Sequence, residues 1–192
     1  MIYLNPFSQI SEGAANSLYE LVKEMVNLNT TNILEVGTYA GQATVQLCGA
    51  AKEKSNSLQV ISIDENGERF SPTAEESLKA NNLNNYLISL GEINKRFEEN
   101  IVKANIIYID RFHEEIDVKI ELIKKNIIIP TKVIFRNPKN SSDFPFDISE
   151  YSPEVKPRAR KKSVTEAQSV STTSSTTAST KVVTKENKKE TT

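Results

Sequence analysis

The sequence predicts a three-layer α/β domain, a doubly wound and mostly parallel sheet with helices on both faces. Two observations carry this. Five strand-like runs alternate with helical ones between Asn32 and Phe135, and strands separated by helices pair in parallel. The run Ala104–Asp110 (ANIIYID) is apolar almost throughout rather than alternating, the pattern of a strand buried from both sides.

The elements follow in order. Ser11 caps a first helix whose apolar positions Leu18, Leu21, Val22, Met25 and Val26 recur at helical spacing. Asn32–Gly37 (NILEVG) is a short apolar run ending in glycine, which reads as a buried strand. Gly41–Ala51 is helical through Ala43, Val45, Leu47 and Ala50, and Leu58–Asp64 (LQVISID) is a second strand. Ser71-Pro72 opens the next helix, with proline at its first position and Glu75 and Glu76 in its first turn. Tyr86–Leu90 is a third strand, Ile93–Lys103 a helix and Ala104–Asp110 the fourth strand. Glu114–Lys125 is a helix with Ile116, Ile120 and Ile123 on one side, its alternating charges reading as a solvated face. Ile127–Phe135 is the fifth strand, interrupted near Pro130.

Composition limits what such a domain can do. The 24 Lys+Arg and 25 Asp+Glu nearly cancel over the 192 residues. Residues 151–192, however, hold 9 of the cations and 4 of the anions, a net of +5, which leaves 15 against 21 and a net of −6 before them. That C-terminal stretch has 7 Ser, 9 Thr and no Ile, Leu, Phe or Met. It cannot bury enough apolar surface to offset its ordering entropy and is expected to be disordered. The expected organisation is a domain over 1–145 and a Ser/Thr/Lys-rich basic tail over 146–192. A single Cys, Cys48, excludes an intrachain disulfide and a cysteine-cluster zinc site, and on a small-residue helix face it reads as an inert buried thiol. A single His, His113, excludes sites that need two. No apolar run approaches the length of a membrane span. The N-terminal MIYLNPFSQISEG has neither the basic nor the apolar region of a secretory signal, so the expected location is cytoplasmic.

In open parallel sheets ligands bind outside the carboxyl ends of the strands. Those ends carry Glu35-Val36-Gly37-Thr38-Tyr39-Ala40-Gly41, then Asp64-Glu65, Gly91-Glu92, Asp110 to His113, and Arg136-Asn137. Gly37 and Gly41 let the backbone approach a ligand closely while amides of the next helix point outward. The spacing is not G-x-G-x-x-G, so no pyrophosphate cradle is indicated. Asp64 can accept both hydroxyls of a ribose or simply cap a helix. A nucleoside with a free amino-acid end suits this arrangement better than a dinucleotide. Tyr39 either covers a ligand or packs at the helix start.

NILEVGTYAGQATVQL resembles the first motif of class I S-adenosylmethionine-dependent methyltransferases, E-x-G-x-x-x-G, and most of all that of the small-molecule O-methyltransferases, L-E-x-G-T-x-x-G. The resemblance continues through QVISID, LGEI and IIYIDRFHEEIDVKIEL, where Asp110, His113, Val118, Glu121 and Leu122 match a further family segment. It covers about residues 9–137. It implies a Rossmann-like sheet of order 3-2-1-4-5 and S-adenosylmethionine as cofactor. Glu35, Gly37 and Gly41 would line the methionine moiety, Asp64 would hold the ribose, Glu92 would face the adenine amino group and Asp110 would lie beneath the transferring methyl. Thr44 would bond the ligand carboxylate in place of a family serine that is Ala43 here. His113 is either structural or the base that takes a proton from a substrate hydroxyl, since a neutral imidazole titrates near pH 6.5. The implied activity is methylation of a hydroxyl on a small molecule or sugar.

Two departures qualify that implication. Metal-dependent relatives place a cation between an Asp after the fourth strand and an Asp-Asn pair after the fifth; Asp110 and Asn137 match, but Arg136 replaces the second Asp and opposes a cation. No metal is therefore expected. Some or all of the usual C-terminal strand pair is also missing, since only NPKNSSDFPFDISE precedes the tail. The sheet would keep an open edge, covered by a protein partner or a second copy. That leaves a non-catalytic interaction protein as the alternative function. The basic cluster Lys156-Pro157-Arg158-Ala159-Arg160-Lys161-Lys162 reads as a soluble linker, a nucleic-acid contact or a nuclear-import signal.

Overall fold

The structure is a computed structural model that describes residues 10–65, 67–102, 104–110, 116–137 and 139–153. His113, the cluster Lys156–Lys162 and the rest of the expected tail beyond Pro153 lie outside the described residues. The described residues fall within one compact unit, Met1–Val155.

Five helices alternate with strands in the order α1 (Glu12–Met25), β1 (Asn32–Val36), α2 (Gln42–Lys54), β2 (Gln59–Asp64), α3 (Gly67–Ala80), β3 (Tyr86–Leu90), α4 (Ile93–Ile101), β4 (Ile106–Ile109), α5 (Ile116–Asn126), β5 (Thr131–Arg136) and β6 (Phe146–Tyr151). The strands form one sheet of order β3-β2-β1-β4-β5-β6. The first five are parallel, and β6 runs antiparallel to β5 with Ile148 opposite Ile134. The expected order 3-2-1-4-5 is present.

Alternation along the central strands explains the two helical layers. On β1 and β4, Ile33, Ile106 and Tyr108 face one core with Leu18, Tyr19, Val45, Leu47 and Leu78 of α1, α2 and α3. Their neighbours Leu34, Ile107 and Ile109 face the other, with Phe97 of α4 and Ile123 of α5. Strands apolar at every position are what a sheet covered on both faces requires. Ser11 caps α1 as expected: its Oγ accepts the Ala14 N–H at 3.0 Å and donates to the Ser142 carbonyl at 2.7 Å.

Three expectations are corrected. The third helix begins at Gly67, so Pro72 lies inside it rather than at its first position. The carbonyl that a proline displaces belongs to the residue four before it, here in the first turn, where distortion is cheap. The face of α5 is not wholly solvated, because Lys119 is buried. Residues 146–151, placed with the tail on composition, are β6. Phe146 enters the first core, its ring edge-on to Tyr108 at 6.3 Å between centroids, with Phe144 edge-on to it at 5.7 Å. Thus one strand of the C-terminal pair is present, it covers the edge of β5, and among the described residues the outermost strand on that side is β6.

Phe146 is accordingly expected to anchor this last strand. Phe146→Ala should cost about 3–5 kcal/mol, the range for truncating a buried aromatic, measured by urea denaturation. A loss below about 1 kcal/mol would mean that β6 is peripheral to the core.

Candidate functional site

At the carboxyl ends of β1 and β2 the chain turns sharply into α2. Gly37 and Gly41 have φ of 100° and 77°, and Tyr39 between them has φ of 45°. The Gly41 N–H closes the turn on the Thr38 carbonyl at 2.8 Å, and the Gly37 N–H reaches the Ile63 carbonyl at 2.9 Å. Gly41 is needed for a second reason: a Cβ there would lie 2.9 Å from both Cα and Cβ of Ala74 on α3.

Asp64, at the end of β2, is buried and takes the Tyr39 N–H on Oδ2 at 2.7 Å. The strand-end carboxylate and the first turn are therefore in direct contact. The phenol of Tyr39 is exposed. The Asp64 carbonyl accepts the N–H of Gly91, whose φ of 131° turns the chain from β3 into α4. Glu92 follows as the exposed first cap of α4 and makes no side-chain capping bond.

Glu35 lies beneath this turn, fully buried. Its Oε2 accepts the Thr44 hydroxyl at 2.7 Å and the Ser62 hydroxyl at 2.6 Å, while Oε1 is a buried oxygen without a partner. Ser62 Oγ is in turn 2.5 Å from Thr38 Oγ1. Because Ser62 gives its proton to Glu35, Thr38 is the donor there. Four side chains from β1, the turn, α2 and β2 thus form one chain of hydrogen bonds. Burial pushes the Glu35 pKa up to about 8 against the opposing pull of the two hydroxyls, and the nearby Asp110 and Asp64 carboxylates add to the rise. Burial likewise raises the Cys48 thiol on α2, with Glu35 adding to the effect. Cys48 is the buried thiol that its helix face predicted.

The ends of β4 and β5 form the other half of the edge. Asp110 Oδ2 meets Arg136 Nη1 at 3.2 Å, with side chains 20% and 15% exposed. Asn137 Nδ2 donates to Asp147 at 2.7 Å and its Oδ1 accepts the Lys139 N–H at 3.1 Å. Among the described residues no group of three His, Cys, Asp or Glu is arranged to hold a metal ion.

The structure therefore brings Glu35, Gly37, Tyr39, Gly41, Thr44 and Asp64 together around one turn, with Asp110 on the adjoining strand and Glu92 beyond Gly91. Ser62 and Thr38 are the members that sequence reasoning missed. The available signal was a serine in the middle of the apolar run VISID, where only a partnered hydroxyl can be buried.

No family model matches the sequence, and no curated protein matches it. Solved structures do. An O-methyltransferase from Bacillus cereus, in complex with S-adenosylhomocysteine, superposes with a TM-score of 0.56 at 21% identity, covering 72% of this chain and 67% of that one. The O-methyltransferase TomG from Streptomyces achromogenes, in complex with S-adenosylmethionine, gives 0.55 at 15% identity over 72% and 66%. A Klebsiella pneumoniae protein assigned to the O-methyltransferases gives 0.56 at 18% over 69% of this chain, which spans only 58% of that one.

The raised acid beneath the turn makes stability depend on pH. In the unfolded chain Glu35 titrates near 4.5, and in the folded one near 8. Its contribution is therefore complete below about pH 4.5 and is lost as pH rises toward 8. The stability of Glu35→Gln, a neutral isostere, should fall less steeply across this window than that of the native chain, the slopes separating by a total on the order of a few kcal/mol. Urea denaturation at a series of pH values decides it, and parallel slopes would refute a neutral Glu35.

In strand order, in helical layers and in the glycine turn between β1 and α2, the chain has the fold of the class I S-adenosylmethionine-dependent methyltransferases.

Proposed function

We propose that this chain binds S-adenosylmethionine at the carboxyl edge of β1, β2 and β4 and transfers its methyl group, without metal, to a hydroxyl of a small molecule or sugar. The observation that carries the reading is the contact between Asp64 and the glycine turn. A buried carboxylate at the end of β2 and backbone groups of the β1–α2 turn meet at one point, where the ribose and the amino-acid end of one nucleoside ligand can be held together. The residues fit the group: Asp64 supplies acceptors for ribose hydroxyls, and Gly37 and Gly41 admit close backbone approach.

The bound cofactor supplies a methyl group already activated by a positively charged sulfur. The chain's own contribution is then alignment and proton management. Glu35 supports the turn from beneath through Thr44, Ser62 and Thr38. Glu92 is assigned to the adenine side, next to Gly91, and Tyr39 with its exposed phenol is assigned to cover the ligand. Asp110 is held in place by Arg136 at the side where the acceptor hydroxyl must approach. His113 is assigned as the proton acceptor from that hydroxyl. No helix of the described residues is long and apolar enough to cross a membrane, and we assign the protein to the cytoplasm.

Saturation with S-adenosylhomocysteine at about 100 times its Kd should raise unfolding stability by roughly 2.7 kcal/mol, and Asp64→Ala should remove the increment. Isothermal calorimetry measures the same binding directly. An undiminished increment in Asp64→Ala would displace the site. If no increment occurs and a partner copurifies, the chain is instead a non-catalytic interaction protein; the outer edge of β6, unpaired among the described residues and with Ile148 exposed, is the feature that favours this alternative.

Metal independence has its own test. Arg136→Asp places two carboxylates at the ends of β4 and β5 in place of an ion pair. Mn²⁺ at millimolar concentration should stabilise that variant and leave the native chain unchanged, by thermal denaturation. Stabilisation of the native chain would contradict the proposal.

A further inference from the structure

A cavity lies at the end of the sheet opposite the carboxyl edge, where β1, β4 and β5 begin and β6 ends. It encloses about 260 Å³, just under the range of roughly 300–1,000 Å³ usual for small-molecule sites. Its lining includes Lys132 of β5 and Glu150 of β6, Asn105 ahead of β4, and the apolar Met25, Ile106 and Pro130.

Lys132 and Glu150 are register partners across the antiparallel β5–β6 pair. Opposite charges so placed are close enough to form an ion pair. They do not form one, and neither side chain has a hydrogen-bond or ion-pair partner among the described residues. Each charge is left available in the same cavity. Asn105 is fixed beside them. Its Oδ1 accepts both the N–H and the hydroxyl of Thr31, at 2.7 and 2.9 Å, which leaves Nδ2 as an unused donor. Its backbone is pinned as well, with its carbonyl accepting the Lys132 N–H at 2.8 Å and its N–H donating to the Asn32 carbonyl at 3.1 Å. Met25 and Ile106 are buried beneath. The cavity thus combines a cation, a carboxylate, the fixed amide of Asn105 and an apolar floor, with Asn27, Asn29 and Thr30 completing its lining.

We propose that this cavity binds a free α-amino acid. The ligand's ammonium meets Glu150, its carboxylate meets Lys132 and Asn105 Nδ2, and its side chain rests on Met25, Ile106 and Pro130. A ligand with one charge satisfies only half of the set. The site is separate from the carboxyl edge and does not depend on the function proposed for that edge.

Calorimetric titration of the full chain with L-alanine, L-valine and L-methionine, each to about 10 mM, tests it at the millimolar affinities expected of so small a ligand. At least one should bind. For L-valine the single-charge analogues are 3-methylbutanoate and 2-methylpropylamine, and the analogues of whichever amino acid binds should be weaker by about tenfold or more. Lys132→Met and Glu150→Gln should each weaken binding by a similar factor, with circular dichroism and denaturation midpoint confirming that both variants are folded. Asp64→Ala should leave amino-acid binding intact. Binding by none of the three, binding that survives both substitutions, equal binding of the single-charge analogues, or loss in Asp64→Ala would each overturn the proposal. The last result would move the amino acid to the cofactor end of the sheet. Failure of S-adenosylhomocysteine to bind would leave this cavity's test unaffected.

Discussion

A carboxyl group held out of water beneath the β1–α2 turn is the constraint on which the candidate site depends. Glu35 lies on the central strand β1, flanked by β2 and β4, with no route to solvent. An isolated carboxylate in such a place is costly enough that the group neutralises or acquires donors. Here it does both, with a raised pKa and two hydroxyl donors on one oxygen. The donors come from different elements: Thr44 joins the first turn of α2 to β1, Ser62 joins β2, and Thr38 extends the chain into the turn itself. A geometry with positive φ at three nearby residues is thereby held from below by hydrogen bonds and from above by Gly41 against α3. Fixing such strained backbone requires surroundings that over-determine it, and this network supplies them.

The same constraint bears on what Glu35 can do for a ligand. The resemblance would place it beside the methionine moiety. Its Oε2 and the Thr44 hydroxyl, however, are directed at one another in the interior. Under the proposed function Glu35 and Thr44 would therefore act on a ligand by positioning the turn, while the groups at the edge are the turn's backbone, Tyr39 and Asp64. The distinction follows from burial, which no spacing rule conveys.

Much of the fold was legible in the chain because its central strands are apolar on consecutive positions. Pairs such as Ile33-Leu34 and Ile106-Ile107 feed two cores, and that pattern admits few arrangements besides a sheet between helices. What was not legible had local physical causes. β6 has one strongly buried residue, Phe146, while Asp147, Ile148 and Glu150 are exposed; an edge strand paired on one side needs little apolar surface, and it borders a polar, charged segment. Pro72 marked a helix correctly but not its start, since first turns absorb a proline's demands at more than one position. Of the site, the glycines and Asp64 stood out because strand ends are where ligands bind. Ser62 and Thr38 did not, because a hydroxyl's value lies in a partner that only the fold supplies.

The ends of β4 and β5 complete the electrostatics. Arg136 binds Asp110 at 3.2 Å with both side chains mostly buried, so this half of the edge adds a carboxylate and a guanidinium that cancel. Glu35, neutral at pH 7 by its raised pKa, adds no charge either. Asp64 is the buried carboxylate that accepts the Tyr39 N–H of the turn. Under the proposed function it faces a cofactor whose sulfonium and ammonium outweigh its carboxylate by one positive charge, so the two attract. Methyl transfer removes the sulfonium charge and with it part of that attraction, while the contacts to the ribose hydroxyls remain. Under that proposal the hold on the product would weaken without any movement of the protein. Asp110 could bind a divalent cation only after the Arg136 pair was broken, and a cation there would meet the displaced guanidinium beside it. Under the proposed function, the ion pair that fixes Asp110 would thus also oppose a metal there.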